Sequence, residues 1–164
     1  LVDRWRRRLA PADLRRLLEW DNTPARVFAR CNELRTDPGT LLAQWREENV
    51  QYDFGRWDWI GENQCFEIRS ERPVAQLGSF QSGGFYIQDP GTLLAPSLVG
   101  ARPGERVLDL CAAPGGKTAI LAQAMLNKGT LTAHDDSAER LELLRDNVRR
   151  LGLDCVRIEP DRAQ

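Results

Sequence analysis

The 164 residues predict an α/β protein: a doubly wound parallel sheet, cut after its third strand, behind a small α+β domain. Three observations predict this. Val107, Leu108 and Leu110 form a short apolar run, as a buried parallel strand does, and the chain then turns through Cys111 to Gly116. From Lys117 the spacing of Ile120, Leu121 and Met125 is helical. Two further strand patterns follow with a helix between them, which is the rhythm of parallel βαβ units.

Taken in order, residues 3–20 read as helix, with Trp5, Leu9, Leu14, Leu17 and Leu18 as the apolar stripe. Pro11 interrupts it as the first position of a second helix. Asp21-Asn22-Thr23-Pro24 is a turn, and residues 25–31 are a strand centred on Val27 and Phe28. Asp37-Pro38-Gly39-Thr40 opens a helix through Leu41, Leu42 and Trp45, with Thr40 as the expected N-cap. Residues 51–69 are rich in aromatic and β-branched side chains and read as a strand pair broken at Gly61-Glu62-Asn63. Residues 73–80 are a short helix or turn, and Phe85-Tyr86-Ile87 is a short strand. Gln88-Asp89-Pro90 opens a helix carrying Leu93, Leu94, Leu98 and Val99. Beyond the central strand and its helix, residues 130–133 make a second strand that finishes at His134-Asp135-Asp136. Leu141, Leu144, Val148 and Leu151 set the next helix, with Gly152 as its stop. Cys155, Val156 and Ile158 form the third strand, before Glu159-Pro160-Asp161. The division falls near residue 80: 1–80 is a helical linker with the α+β domain, and 81–164 begins the parallel sheet.

The totals exclude several classes. Net charge is −1, with 41 % hydrophobic and 29 % charged residues, as in ordinary globular proteins. No apolar run approaches the ~20 residues that cross a bilayer, and no signal-peptide pattern opens the chain. Cys31, Cys65, Cys111 and Cys155 form no Cys-x-x-Cys pair and His134 is the one histidine, so a metal site is not expected. Free thiols in the cytoplasm are the default. Residues 1–35 hold nine arginines against five acids, a balance of +4, and the rest balances at −5. Such an end can meet nucleic-acid phosphates, or be a solvated helix face. Trp57 and Trp59 can stack on bases, or simply pack. The chain begins at Leu1 and ends at Gln164 just after a strand-like run, as a piece of a longer protein does.

The turn carries the chemistry. Ala112, Ala113, Gly115 and Gly116 are almost free of side-chain bulk, so a ligand can approach the backbone. The start of the following helix offers unpaired N–H groups and a positive dipole end to a carboxylate or phosphate. Gly-Lys-Thr closes the stretch as in a P-loop, but that motif needs glycine five residues before Gly116, where Cys111 stands. An ordinary turn does not need four small residues and a proline. At the second strand end Asp135 is placed to accept ribose hydroxyl protons, while Asp136 with Glu139 forms a capping box. At the third strand end Asp161 is placed to accept from an adenine amino group, or is a surface acid. His134 reads as structural.

The string Asp109-Leu110-Cys111-Ala112-Ala113-Pro114-Gly115-Gly116-Lys117-Thr118 resembles the cofactor loop of the RsmB/Sun (NSUN-type) RNA cytosine-5-methyltransferases. Phe85-Tyr86-Ile87-Gln88-Asp89-Pro90 is similar to the family's segment before the cofactor pocket. Asp135, Arg140-Leu141, Asn147 and Arg150-Leu151-Gly152 resemble its second acidic motif and helix. Asp161 falls at the family's adenine-contacting acid, although Arg162 follows where the family has glycine. The resemblance implies a truncated Rossmann-like S-adenosylmethionine-dependent methyltransferase sheet behind an RNA-recognition-like domain. It implies S-adenosylmethionine as cofactor, held at Cys111, Ala112, Ala113, Pro114, Gly115, Gly116 and Lys117, with Asp135 on the ribose and Asp161 on the adenine. It implies rRNA, of the 16S type, as partner, and methylation of cytosine carbon 5 by way of a cysteine nucleophile. In the family the nucleophile and a second, product-releasing cysteine follow the third strand in Pro-Cys and Thr-Cys-Ser contexts. Neither context occurs here, so the nucleophile is expected beyond Gln164, and Cys111 belongs to the loop. The alternatives are a non-catalytic RNA-binding protein that retains the fold, and a methyltransferase of proteins or small molecules.

Overall fold

A computed structural model describes residues 1–159, so the expectation for Asp161 lies outside the described residues. Two sheets organise the chain. The first is antiparallel, with strands in the order β2 (Gln51–Phe54), β3 (Cys65–Arg69), β1 (Val27–Cys31), β4 (Phe85–Ile87). The second is parallel, in the order β5 (Arg106–Asp109), β6 (Thr130–Ala133), β7 (Val156–Ile158). Parallel pairing of Asp109 with Ala133, and of Ala133 with Ile158, puts the three carboxyl ends on one edge.

Helices α1 (Val2–Arg6) and α2 (Pro11–Asp21) lead into β1, with Pro11 at the first turn of α2 as expected. Helix α3 (Pro38–Glu47) packs Leu41, Leu42 and Trp45 onto the antiparallel sheet against Ala29, Cys31, Phe66, Ile68 and Phe85. The Trp45 ring meets Phe66 and Phe85 edge-on, at centroid distances of 5.4 and 5.3 Å. The N-cap of α3 is Asp37 and not Thr40: its Oδ1 accepts from Thr40 N at 3.0 Å, and its Oδ2 from the Thr40 hydroxyl at 2.6 Å. The cap falls there because Pro38 already occupies the first helical turn. Asp37's carboxyl is held below its ordinary range, first by the Thr40 hydroxyl and then by the Thr40 N–H.

Between β2 and β3 the break runs from Gly55 to Gln64, wider than Gly61–Asn63. Trp57 and Trp59 sit in it. Trp57 packs edge-on against Phe28 with centroids 5.6 Å apart, and Trp59 Nε1 donates to Pro90 O at 3.2 Å.

After the short helix α4 (Gly78–Gln81), β4 pairs antiparallel with β1, so the first sheet continues past residue 80. A 3₁₀ turn at Pro90–Leu93 then leads into α5 (Leu94–Val99). Helices α6 (Gly116–Ala124) and α7 (Ala138–Leu151) pack Ala119, Leu121, Ala122, Leu141, Leu144 and Leu151 against Leu131 and Ala133 of β6 to form the core of the parallel sheet. Ser137 caps α7 by accepting from Arg140 N at 3.3 Å, where Asp136 with Glu139 was expected. Asp135 Oδ1 accepts from Ser137 N, which sets the turn one residue later. Among the described residues Leu108 and Leu110 are 59 % and 62 % exposed, while Val107 packs against the core that α6 and α7 form with the sheet.

The sheets are tied together at β4 and α7. Asn32 Nδ2 donates to Gly83 O at 2.8 Å and to Leu151 O at 2.9 Å. Arg150 Nη1 donates to Phe80 O and Phe85 O at 2.8 and 3.0 Å, and its guanidinium lies 3.8 Å over the Phe80 ring. Gly83, at φ +79, allows this approach: a Cβ there would stand 2.0 Å from Arg150 O.

Candidate functional site

The expected loop stands at the carboxyl edge of the parallel sheet, between β5 and α6, and nearly every turn of its backbone is held. Asp109 closes the strand and folds back over the loop. Its Oδ1 accepts from Cys111 N at 3.2 Å and its Oδ2 from the Thr118 hydroxyl at 2.8 Å, so one carboxylate holds both ends. Thr118 is fully buried. Ala112 N donates to His134 O at 2.9 Å, which extends the β5–β6 pairing into the loop and gives His134 a backbone role.

Asp135 is 2 % exposed and lies under the loop. Its Oδ2 accepts from Ala113 N at 3.1 Å, and its Oδ1 accepts from Ser137 N at 3.3 Å and faces Arg140 Nη1 at 3.3 Å. Arg140 also donates to Ala113 O, and Asn147 Nδ2 donates to Pro114 O at 2.9 Å. The Ala113–Pro114 peptide is cis. Helix α7 therefore supports the loop from one side with two side chains, and Asp135 from below.

The loop is also sterically small where it must be. Gly115 has φ +113, and a Cβ there would lie 3.0 Å from Leu144 Cδ1. A Cβ on Gly116 would lie 3.0 Å from Gln88 Nε2 and 3.3 Å from the Tyr86 ring. Both glycines are thus required by close approach, the first by conformation as well. Gly116 opens α6, whose first N–H groups have no partners within the helix. Ala112 and Ala113 are buried, and Cys111, Pro114 and Lys117 are exposed.

The four cysteines are free. Burial pushes the Cys31 thiol up to about 12 and the Cys65 thiol up to about 11, and raises that of Cys155. Their thiolates are suppressed, whereas Cys111 is exposed on the loop. Among the described residues no group of three or more His, Cys, Asp or Glu is placed to hold a metal ion, and no helix is long and apolar enough to cross a membrane. The basic amino-terminal end is exposed, with Arg6 and Arg16 paired to Asp3 and Asp13.

The structure brings together residues 111–117 and Asp135. The sequence-based choice of site residues left out Asp109, Thr118, Arg140 and Asn147, which hold the loop. For Asp109 a signal was present: an aspartate directly before a tight turn folds its side chain onto the backbone two residues on. Arg140 and Asn147 stand 27 and 33 positions from the carbonyls they bind, and the packing of α7 brings them to the loop.

Residues 96–163 match the family model of 16S rRNA methyltransferase RsmB/F. The chain belongs to the RsmB/F methyltransferase family. It is 32 % identical over 143 residues to the human 28S rRNA (cytosine(4447)-C(5))-methyltransferase, covering 87 % of this chain and 17 % of that protein. It is also 32 % identical over 136 residues to the probable ribosomal RNA small subunit methyltransferase B of Bacillus subtilis, covering 83 % of this chain and 29 % of that protein. Among solved structures, a methyltransferase homolog from Pyrococcus horikoshii superposes with a TM-score of 0.76 at 32 % identity, over 89 % of this chain and 47 % of that one. The fold is the Rossmann-like methyltransferase α/β fold. The chain spans less than a third of the length of these curated family members.

Proposed function

We propose that the protein is an S-adenosylmethionine-dependent methyltransferase acting on carbon 5 of a cytosine in rRNA, and that this chain supplies its cofactor loop and part of its RNA-facing domain. The observation that carries the reading is the braced small-residue loop of residues 111–117 opening onto the start of α6, in a chain of this family. The loop suits the cofactor's amino-acid end: its side chains are small from Ala112 to Gly116, and the α6 start attracts a carboxylate. Bound there, the cofactor supplies an electrophilic methyl group.

The chain's own residues bind and orient. Residues 111–117 hold the methionine end, and Asp109 and Thr118 keep the loop open in one shape. Asp135 holds the ribose. Its position beneath the loop, with Oδ2 accepting from Ala113 N, supports that role. Asp161 is proposed for the adenine. The nucleophile is proposed to lie after Gln164. The suppressed thiols of Cys31, Cys65 and Cys155 and the loop position of Cys111 support that reading. Residues 1–80 and the exposed arginines of α1 and α2 are proposed to face rRNA through phosphate contacts. We place the protein in the cytoplasm, where free cysteines stay reduced.

The test is methyl transfer by the full-length protein from labelled S-adenosylmethionine to rRNA, with bisulfite mapping of the product. 5-Methylcytosine at a defined position is the expected result. Salt-sensitive rRNA binding with no transfer would leave an RNA-binding protein that kept the fold, and methylation of protein alone would overturn the substrate. In the same protein, S-adenosylmethionine is expected to slow alkylation of Cys111, which unchanged labelling would contradict.

A further inference from the structure

The start of α6 is approached from the antiparallel sheet by a side chain whose amide is half used. Gln88 follows β4, is 8 % exposed, and its backbone N–H donates to Phe28 O at 3.0 Å. Its Oε1 accepts from Arg30 Nε at 3.1 Å. Arginine carries only donors, so this contact decides which end of the amide is the oxygen. The other end, Nε2, has no acceptor among the described residues. It lies 3.0 Å from the point where a Cβ on Gly116 would sit, nearer than the amide carbon at 3.3 Å, so the nitrogen is turned towards the first residue of α6.

Arg30 is itself 6 % exposed and has no ion pair among the described residues. Burial lowers its pKa to about 10. A buried, unpaired cation is costly to a fold, and its one side-chain hydrogen bond is the one that orients Gln88.

We propose that Gln88 is a further ligand-binding residue of this site: its amide N–H joins the peptide N–H groups at the α6 start to bind the carboxylate of S-adenosylmethionine, and Arg30 is its positioning residue. This rests on the reading of residues 111–117 as the S-adenosylmethionine loop. It deepens that reading by naming a donor from outside the loop, carried on the other sheet.

The test compares S-adenosylmethionine with its decarboxylated form, which lacks the carboxylate, by calorimetry on the full-length protein. Gln88→Glu keeps the side chain's shape and the acceptor for Arg30, but puts a second carboxylate oxygen where the donor was. The expected result is a thermal midpoint at or above that of the unaltered protein, at least tenfold weaker binding of S-adenosylmethionine, and little change for the decarboxylated ligand. Arg30→Lys, which keeps the buried charge and loses the fixed Nε–H, is expected to shift the ratio of the two affinities the same way by a smaller factor. The double variant is expected to be no weaker than Gln88→Glu alone. An affinity ratio unchanged in folded Gln88→Glu overturns the proposal, and one unchanged only in Arg30→Lys removes Arg30 from it. Failure of the unaltered protein to bind either ligand would instead overturn the reading of the loop.

Discussion

The two sheets of this chain are held by different physics. The antiparallel sheet is closed by aromatic packing: Trp45, Phe66 and Phe85 meet edge-on in a core with almost no solvent access. The parallel sheet is closed on one side by aliphatic residues of α6 and α7, and its carboxyl edge is held by hydrogen bonds to loop backbone from Asp109, Asp135, Arg140 and Asn147. Apolar packing stabilises by excluding water from a closely filled core. Hydrogen bonds to a backbone fix a shape to within tenths of an ångström, which a ligand loop needs. The contrast teaches that stability and precision are concentrated in different halves, and that β4 and Gln88 carry one to the other.

That contrast can be broken from either side. Trp45→Ala should have the largest effect on stability, about 3–5 kcal/mol, because the whole ring is lost from a closed core. Chemical denaturation would show it, and a loss below about 1 kcal/mol would mean that the aromatic cluster does not hold the antiparallel sheet. Gly115→Ala should cost less, about 1–2 kcal/mol, from the positive φ and the Leu144 contact, yet weaken S-adenosylmethionine binding more than Trp45→Ala does in protein that remains folded. Thr118→Val removes the hydroxyl that Asp109 accepts and should cost roughly 1–2 kcal/mol. Calorimetry on that variant should also show weaker ligand binding, and equal affinity would exclude the Asp109 clamp from the site.

The smallest effect concerns pH. The buried thiols of Cys31 and Cys65 stay protonated to about 12 and about 11, while in the unfolded chain they ionise near 9. Between those values the unfolded state holds fewer protons, so stability is complete below about pH 9 and falls as pH rises through the window. Arg30 acts oppositely, and only above about 10. From pH 7.5 to 9.5 the loss should be roughly 0.5–1 kcal/mol per thiol, and Cys31→Ala should flatten the decline. An equal decline in Cys31→Ala would assign it elsewhere.

Much of this was readable along the chain. The apolar run ending at Asp109, the small residues to Gly116 and the helical spacing after Lys117 each express a local constraint, so strand, turn and helix formed where the pattern put them. Pro11 and Gly152 marked helix ends for the same reason. Asp37 displaced Thr40 as a cap, and Ser137 displaced Asp136, because several capping residues stood within one turn of each other and backbone direction chose among them.

What the sequence by itself determined, then, was the elements, the loop and the class of ligand that a small-residue turn before a helix can accept. These depend on contacts within a few residues, which composition and spacing record. Only the tertiary structure decided that β4 joins the first sheet, that Asp135 lies beneath the loop, and that Arg30 orients Gln88 towards Gly116. Arg30 and Gln88 are 58 positions apart, and no periodicity links them. They meet because β1 and β4 pair antiparallel, and strand pairing is set by which faces can be buried together across the whole chain.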